Sequence, residues 1–331
     1  MILAAVRGGV DLDITWWAWT TVGVVVAALL AIDILVVHRE AKEVGARRAG
    51  IESAIWIAIG VTFGVIVLAA YGGAAAGEWF SGYLIELSLS VDNVFVWALI
   101  FSFFAVPRAF QHRVLFWGIF GAVVLRGLFI FAGVELINRF DWILYVFGGF
   151  LLFTAFRLVT QGEAQIDPST NPFLRLVRKV VPSTESYNGQ HLFTHERGRR
   201  LATPLFAVLV LVETTDVLFA VDSVPAVLAV SREQFIVLTS NAFAILGLRA
   251  LYFLLADMHA RFQYLQHGLA LILAFVGVKM ITSHWFHMAT WISLLVIAVV
   301  LSVSVVASLR WGTNPAATPA EIAEPPPIEE R

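Results

Sequence analysis

Nine apolar segments, most of them long enough to cross a lipid bilayer, constrain this chain more than any other feature of its sequence. A membrane-spanning helix needs about 20 mostly apolar residues. With 59% hydrophobic residues and a mean hydropathy of +0.83, the chain is too apolar for a soluble protein of 331 residues. We therefore predict an all-α membrane protein. The predicted spans are residues 16–37, 54–71, 79–104, 114–134, 141–158, 203–230, 235–255, 268–282 and 288–309.

The distribution of Lys and Arg predicts the orientation of these spans. Loops on the cytoplasmic side of a membrane carry an excess of these residues. The N-terminal segment and the loops on its side of the membrane contain only Arg7, Arg139 and Arg232. We therefore expect the N-terminus outside and the C-terminus in the cytoplasm, in the inner or plasma membrane of the cell.

Two polar motifs recur in two different apolar spans, ELSLSVDNVFV at 86–96 and DVLFAVDSVPA at 216–226. Each copy begins a set of three spans, so the second set enters the membrane from the opposite side. The sequence therefore predicts an inverted repeat, an architecture of secondary transporters whose site lies near the midplane. The aligned charged pairs are Glu86 with Asp216, Asp92 with Asp222, and Arg126 with Arg249.

This repeat sets the domain organisation that we expect. A polar, basic cytoplasmic loop separates the two copies, and the Pro- and Glu-rich C-terminal tail is expected to be disordered. The predicted units are the first two spans at 1–78, repeat A at 79–158, the loop at 159–202, repeat B at 203–282, the ninth span at 283–313 and the tail at 314–331.

Ionisable residues lie well inside the predicted spans. One charged side chain at the centre of a membrane helix costs about 2.5–3.5 kcal/mol on insertion scales, so these groups must pair, face water or bind a ligand. Ion pairing alone is insufficient, because two arginines cannot neutralise five acids. The acids are Glu86, Asp92, Glu213, Asp216 and Asp222, and the arginines are Arg126 and Arg249.

The oxygen-rich composition of this set favours a hard divalent cation such as Mn²⁺, Mg²⁺ or Ca²⁺. The chain has no cysteine, so thiolate ligands are excluded. Asp92 and Asp222 occupy equivalent repeat positions, and we predict that both bind the cation directly. The amides of Asn93 and Asn241 can add oxygen ligands. We expect the two arginines to compensate the negative charge when the site is empty.

The motifs ELSLSVDNVFVW (86–97), VETTDVLFAVDSVPAVLAV (212–230) and TSNAFAILGLRALYFLL (239–255) resemble those of the TerC/Alx family of integral membrane proteins. Members of that family are linked to Mn²⁺ efflux and historically to tellurium resistance, and a chloroplast branch to membrane-protein assembly. The identity of the metal rests on the resemblance. The functional positions that it implies are Glu86, Asp92, Asn93, Glu213, Asp216, Asp222 and Asn241.

Three classes of function fit these residues to different degrees. The first is a transporter that exports a hard divalent cation, with Mn²⁺ as cargo, in exchange for protons carried by Glu86 or Glu213. Such a protein is no enzyme, has no tightly bound cofactor and does not bind nucleic acid. The second class is an intramembrane aspartyl protease that uses Asp92 and Asp222. The second aspartate of such proteases usually follows a Gly-x-Gly motif, and this chain has no such motif before either residue. A scaffold for other membrane proteins needs no buried acids, yet the chloroplast branch keeps this alternative open.

Overall fold

The computed structural model describes residues 10, 12–33, 45–140, 142–161, 184, 188–196, 199–255, 263–283, 285 and 288–311. The predicted tail and most of the predicted cytoplasmic loop therefore lie outside the described residues. The rest is almost entirely helical, which confirms the all-α class. The helices are α1 (Trp16–Ile32), α2 (Ala46–Phe103), α3 (Arg108–Arg139), α4 (Ile143–Gln161), α5 (Pro204–Leu228), α6 (Gln234–Leu246), α7 (Leu248–Leu255), α8 (Gln263–Thr282) and α9 (Thr290–Trp311).

The number of membrane-crossing helices differs from the nine predicted spans. Among the described residues, six single helices are long and apolar enough to cross a membrane, namely α2, α3, α4, α5, α8 and α9. The pair α6 and α7, bent by 41°, makes up to seven if it counts as one broken span. The count falls because α1 is short and because the second and third predicted spans, which meet at a kink, are continuous in one long helical segment.

Gly72 divides that helix in two. At 1.5 Å per residue, the 58 residues of α2 would extend roughly 87 Å, nearly three times the thickness of the hydrocarbon core. Gly72 interrupts it with φ 85° and ψ 178°, a backbone conformation that essentially only glycine adopts. The two halves, 46–71 and 73–103, correspond to the second and third predicted spans.

Local sequence explains where other helices begin and end. Ala105 adopts a left-handed conformation with φ 48° just after α2 ends, and Pro107 then precedes α3. Pro204 opens α5, where its missing N–H costs no hydrogen bond. A short antiparallel hairpin, β1 (Phe193–Glu196) and β2 (Arg199–Ala202), comes before α5, inside the region that the sequence analysis assigned to a loop.

Helices of the two predicted repeats pack mainly against each other. The main contacts join α2 with α6 and α7, α3 with α5, and α4 with α8. The first helix of each repeat thus contacts the second helix of the other, and the third helices contact each other. A two-fold relation between the two predicted repeats would produce this reciprocal pattern of helix contacts. The orientation of the chain and the inverted relation of the repeats stay predictions.

Two large apolar cores fill the bundle and leave a layer between them. One core includes Leu151, Val276 and Ile297, and the other includes Trp97 and Leu205. Four helices contribute residues to both cores, and each of these helices carries buried polar side chains between those residues. We call this region the polar layer, and its intervals are 85–94 on α2, 122–130 on α3, 212–224 on α5 and 237–245 on α6.

The conformation of Gly72 generates a first prediction. Gly72→Ala should lower the free energy of unfolding by about 1–3 kcal/mol, because the added Cβ disfavours a positive φ. Gly73→Ala is the matched control, since both positions have open space for a Cβ and only Gly72 has a positive φ. Thermal unfolding of the two purified variants in detergent measures the difference. Equal melting temperatures would show that Gly72 does not set this break.

Candidate functional site

The polar layer contains a buried ionic group around Arg126, which we call the Arg126 cluster. It consists of Glu86, Ser90, Asn93, Arg126, Asp216 and Asn241. Glu86 is fully buried, accepts hydrogen bonds from two side chains and forms one ion pair. Its Oε1 forms an ion pair with Arg126 Nη1 and accepts from Ser90 Oγ at 3.2 Å, and its Oε2 accepts from Asn241 Nδ2 at 2.8 Å. The cluster therefore joins α2, α3 and α6.

Asn93 and Asp216 complete the surroundings of Arg126. With its amide oxygen facing the guanidinium, Asn93 accepts from Arg126 Nη2 at 2.9 Å and donates to the Leu89 carbonyl at 3.2 Å. Asp216, on α5, is attracted electrostatically to Arg126. Both carboxylate oxygens of Asp216 are buried, and neither has a hydrogen-bond partner among the described residues. Electrostatic attraction to Arg126 is therefore the interaction that stabilises the Asp216 carboxylate among the described residues.

The charges of the Arg126 cluster do not balance. One guanidinium faces two carboxylates, those of Glu86 and Asp216. Taking an uncompensated charge out of water costs several kcal/mol, so the cluster as a whole needs one further positive charge. A proton or a cation can supply it. This requirement is a physical reason for a cation-linked function, independent of any resemblance.

A cavity of about 400 Å³ lies beside the Arg126 cluster, and we call it the Asp92 cavity. Asp92 and Asp222, the equivalent acids of the two motifs, both line it, although they are 130 residues apart in sequence. Asn93 and Arg126 belong to both the cavity wall and the cluster. The other polar lining residues are Thr154, Arg157 and Ser223, and the remaining lining residues are apolar.

Helix α4 reaches Asp222 across this cavity. Thr154 Oγ1 donates a hydrogen bond to Asp222 Oδ1 at 3.2 Å. Arg157, three residues further along the same helix, attracts Asp222 electrostatically. Neither residue lies in the two motifs, so the sequence analysis did not assign them to the site. The sequence feature that could have identified them is their i, i+3 spacing near the end of an apolar helix, which places both side chains on one helix face.

Two predicted site residues belong to neither group, although Glu213 adjoins the Arg126 cluster through Asp216. The carboxylate of Glu213 packs directly against Gly121 of α3, where a Cβ would collide with it. Arg249 forms a buried ion pair with Asp33, at the end of α1. The sequence analysis grouped Arg249 with Arg126 as compensating charges of one site. The structure places its acidic partner outside both repeats.

The seven residues that the sequence analysis proposed as ligands do not converge on one point. Arg126 is surrounded by Glu86, Asp216 and Asn241. The cavity is lined by Asp92 and Asp222, and Asn93 belongs to both groups. Glu213 is close to Asp216 but neither lines the cavity nor takes part in the ion pair. In the described part of the chain, no three Asp, Glu or His side chains lie close enough together to hold a metal ion. A cation in the cavity would therefore meet two carboxylates together with amide and hydroxyl oxygens.

Sequence reasoning also missed the buried acid Glu78, whose side chain is 2% exposed. Ser231 Oγ donates to its Oε2 at 2.6 Å, and the backbone N–H of Val10 donates to its Oε1 at 3.2 Å. Glu78 adjoins Trp79 near the expected beginning of a span, where a carboxylate normally reaches water. The packing of residue 10 and of Ser231 over it could not be read from the sequence.

The fold and the polar layer define a multi-pass α-helical membrane protein with a buried ionic site between two apolar cores. Residues 71–315 match the family described as "Integral membrane protein TerC family". This match covers most of the chain, and the protein therefore belongs to the TerC family. The resemblance of the two motifs is thereby confirmed.

Curated relatives match nearly full length. An "Uncharacterized membrane protein STKORF319" from Myxococcus xanthus is 48% identical over 284 residues, covering 86% of this chain and 89% of the relative. A "Putative membrane-bound redox modulator Alx" from Escherichia coli (strain K12) is 46% identical over 285 residues, covering 83% and 89%. An "Uncharacterized membrane protein" from Rickettsia bellii is 35% identical over 292 residues, covering 88% and 97%. No solved structure matches the chain significantly.

The Arg126 cluster generates a second prediction. Arg126→Gln should destabilise the protein by about 3–5 kcal/mol, because it leaves Glu86 and Asp216 buried without a positive partner. Adding Glu86→Gln should recover part of the loss, since one carboxylate then remains instead of two. Thermal unfolding in detergent measures both effects, with the exposed Arg139→Gln on the same helix as control. If Arg126→Gln alone melts at the wild-type temperature, Arg126 does not stabilise the two buried carboxylates.

Proposed function

We propose that this protein is a transporter that exports a hard divalent cation, with Mn²⁺ as the cargo, through the Asp92 cavity. One observation carries the proposal: the equivalent acids of the two motifs, Asp92 and Asp222, line the same cavity in the middle of a membrane protein. Ionisable residues buried at membrane depth mark ion pathways and proton relays. The proposal places the protein in the inner or plasma membrane, with its N-terminus outside, and needs no catalytic residue.

The chemistry of the cavity supports a hard cation. Carboxylate, amide and hydroxyl oxygens from Asp92, Asn93, Thr154 and Asp222 are the donors that Mn²⁺, Mg²⁺ and Ca²⁺ prefer. The cavity is large enough for a cation that keeps part of its water shell, which suits a site that must release its cargo. The choice of Mn²⁺ among these ions rests on membership of the TerC family.

A third prediction tests the cavity directly. Asp92→Asn and Asp222→Asn should each reduce Mn²⁺ transport in proteoliposomes by at least tenfold, because each removes one carboxylate charge while keeping the shape of the side chain. Glu135→Gln is the control, since it makes the same charge change at an exposed position of α3. Wild-type rates in both aspartate variants would refute the proposed pathway.

Export of a divalent cation requires an energy source. Moving one elementary charge against a membrane potential of 100 mV costs about 2.3 kcal/mol, so a divalent cation costs about 4.6 kcal/mol. Uncoupled flow would therefore carry Mn²⁺ inward. Protons moving in the opposite direction can drive export, and two protons per Mn²⁺ would make the exchange electroneutral. The unbalanced carboxylates of the polar layer provide groups that can carry them.

The structure favours Glu213 over Glu86 as a proton carrier. Glu86 is fixed by an ion pair and two hydrogen bonds in the Arg126 cluster, whereas Glu213 is half-buried against Gly121. Glu213 also lies one helical turn from Asp216, whose negative charge repels it. The closeness of a second carboxylate makes Glu213 the better candidate for exchanging a proton when the cation arrives or leaves.

A fourth prediction follows for coupling. With Glu213→Gln, Mn²⁺ flux at zero membrane potential should persist in part, while the accompanying proton movement should be lost. Proteoliposomes that contain a pH-sensitive dye measure proton movement, and a protonophore control establishes that the dye responds to the imposed gradient. Mn²⁺ flux without any proton movement in the wild type would exclude this mechanism.

The name of the Escherichia coli relative suggests a role in redox balance. This chain contains no cysteine, so it cannot act by thiol–disulfide exchange through its own residues. Export of a redox-active metal would change the redox state of a cell indirectly. The scaffold and aspartyl protease alternatives gain no specific support from the described contacts, and the transport assay distinguishes all of them from the proposal.

A further inference from the structure

The Asp92 cavity contains a cationic side chain that the two motifs do not supply. Arg157 and Thr154 lie three residues apart on α4, so their side chains project from the same side of that helix. Both line the cavity, and both act on Asp222, one by attraction and the other by a hydrogen bond of 3.2 Å. The end of α4 thus presents a positive charge and a hydroxyl group to one of the proposed cation ligands.

The charge balance of the cavity gives Arg157 a particular importance. Two carboxylates, Asp92 and Asp222, and two guanidiniums, Arg126 and Arg157, line the cavity. Arg126 is occupied, since it pairs with Glu86, donates to Asn93 and attracts Asp216. Arg157 therefore adds a second positive charge to the cavity wall, and this charge attracts Asp222.

Building on the proposed function, we infer that Arg157 is a tethered counter-cation that compensates Asp222 when the cavity is empty and is displaced when a divalent cation binds. Thr154 is the positioning residue, since its hydroxyl holds Asp222 toward the cavity. Arg157 lies one helical turn before the end of α4 and is exposed, so its long side chain has room to swing away.

This arrangement affects both affinity and selectivity. A cation that binds must first compete with an internal charge, which weakens apparent affinity and favours release. A divalent cation gains about twice the Coulomb energy of a monovalent one at the same distance, so it displaces the guanidinium more readily. Arg157 therefore disfavours the abundant monovalent cations without any steric filter.

The test is a binding measurement on the full-length protein in lipid nanodiscs. Titration of Mn²⁺, followed by calorimetry, gives the dissociation constant. Arg157→Gln should bind Mn²⁺ about two- to fivefold more tightly than the wild type, the range expected when one exposed competing charge is removed. Arg157→Lys, which keeps the charge, should reverse most of this change. Arg139→Gln, which removes an exposed arginine outside the cavity, should bind like the wild type.

A second measurement separates competition from a purely structural effect. Millimolar guanidinium added to Arg157→Gln should weaken Mn²⁺ binding back toward the wild-type value, because the free ion takes the place of the missing side chain. Loss of this rescue, or an Arg157→Gln affinity equal to or weaker than that of the wild type, would overturn the inference. If Arg157→Gln acted only by changing the structure of α4, added guanidinium would not alter its affinity for Mn²⁺.

The same titrations distinguish this inference from the proposed function. If Asp92→Asn and Asp222→Asn abolish binding while Arg157→Gln leaves it unchanged, the cavity binds the cation but Arg157 does not compete. If the wild type itself binds no Mn²⁺, the proposed function fails and the role of Arg157 fails with it. Tighter binding in Arg157→Gln, lost again when Asp222→Asn is added, supports both.

Discussion

The ion pair between Arg126 and Glu86 is the interaction on which the polar layer depends. Arg126 is 1% exposed, and a charge at that depth in hydrocarbon is stable only with a partner. Through Glu86, Asn241 and Asp216, this guanidinium connects α3 to three other helices. Arg126 also forms part of the wall of the Asp92 cavity, so the interaction that holds the helices together also shapes the proposed pathway.

The ionic contacts do not repeat between the two predicted repeats in the way that the helix contacts do. The helices of the two repeats exchange contacts as a two-fold relation would require. The two aligned arginines do not, because Arg126 faces acids of both repeats while Arg249 pairs with Asp33 of α1. At Glu86, the amide of Asn241 supplies a donor from the second repeat. The Arg126 cluster and the Arg249–Asp33 pair are therefore different in composition, and Asp92 and Asp222 line the cavity beside the first of them.

Much of the fold could be predicted from the sequence because lipid leaves few choices. Apolar segments of bilayer length must form helices, and the bounds of α3, α4 and α9 contain the predicted spans almost completely. The joining of two spans into α2 was not predictable, since a glycine can either end a helix or bend it. The hairpin before α5 was missed because four-residue strands carry little hydrophobic periodicity.

The sequence by itself determined that acids and arginines lie inside the membrane helices, because their position within apolar spans fixes their depth. It also indicated which acids are equivalent, and Asp92 and Asp222 do share a cavity. Only the tertiary structure decided which charge faces which, since helices rotate and pack to satisfy contacts that are far apart in sequence. The pairing of Arg249 with Asp33, the burial of Glu78 and the approach of Thr154 and Arg157 to Asp222 all arise in this way. Depth is a local property of the chain, whereas ionic partnership depends on how distant helices meet.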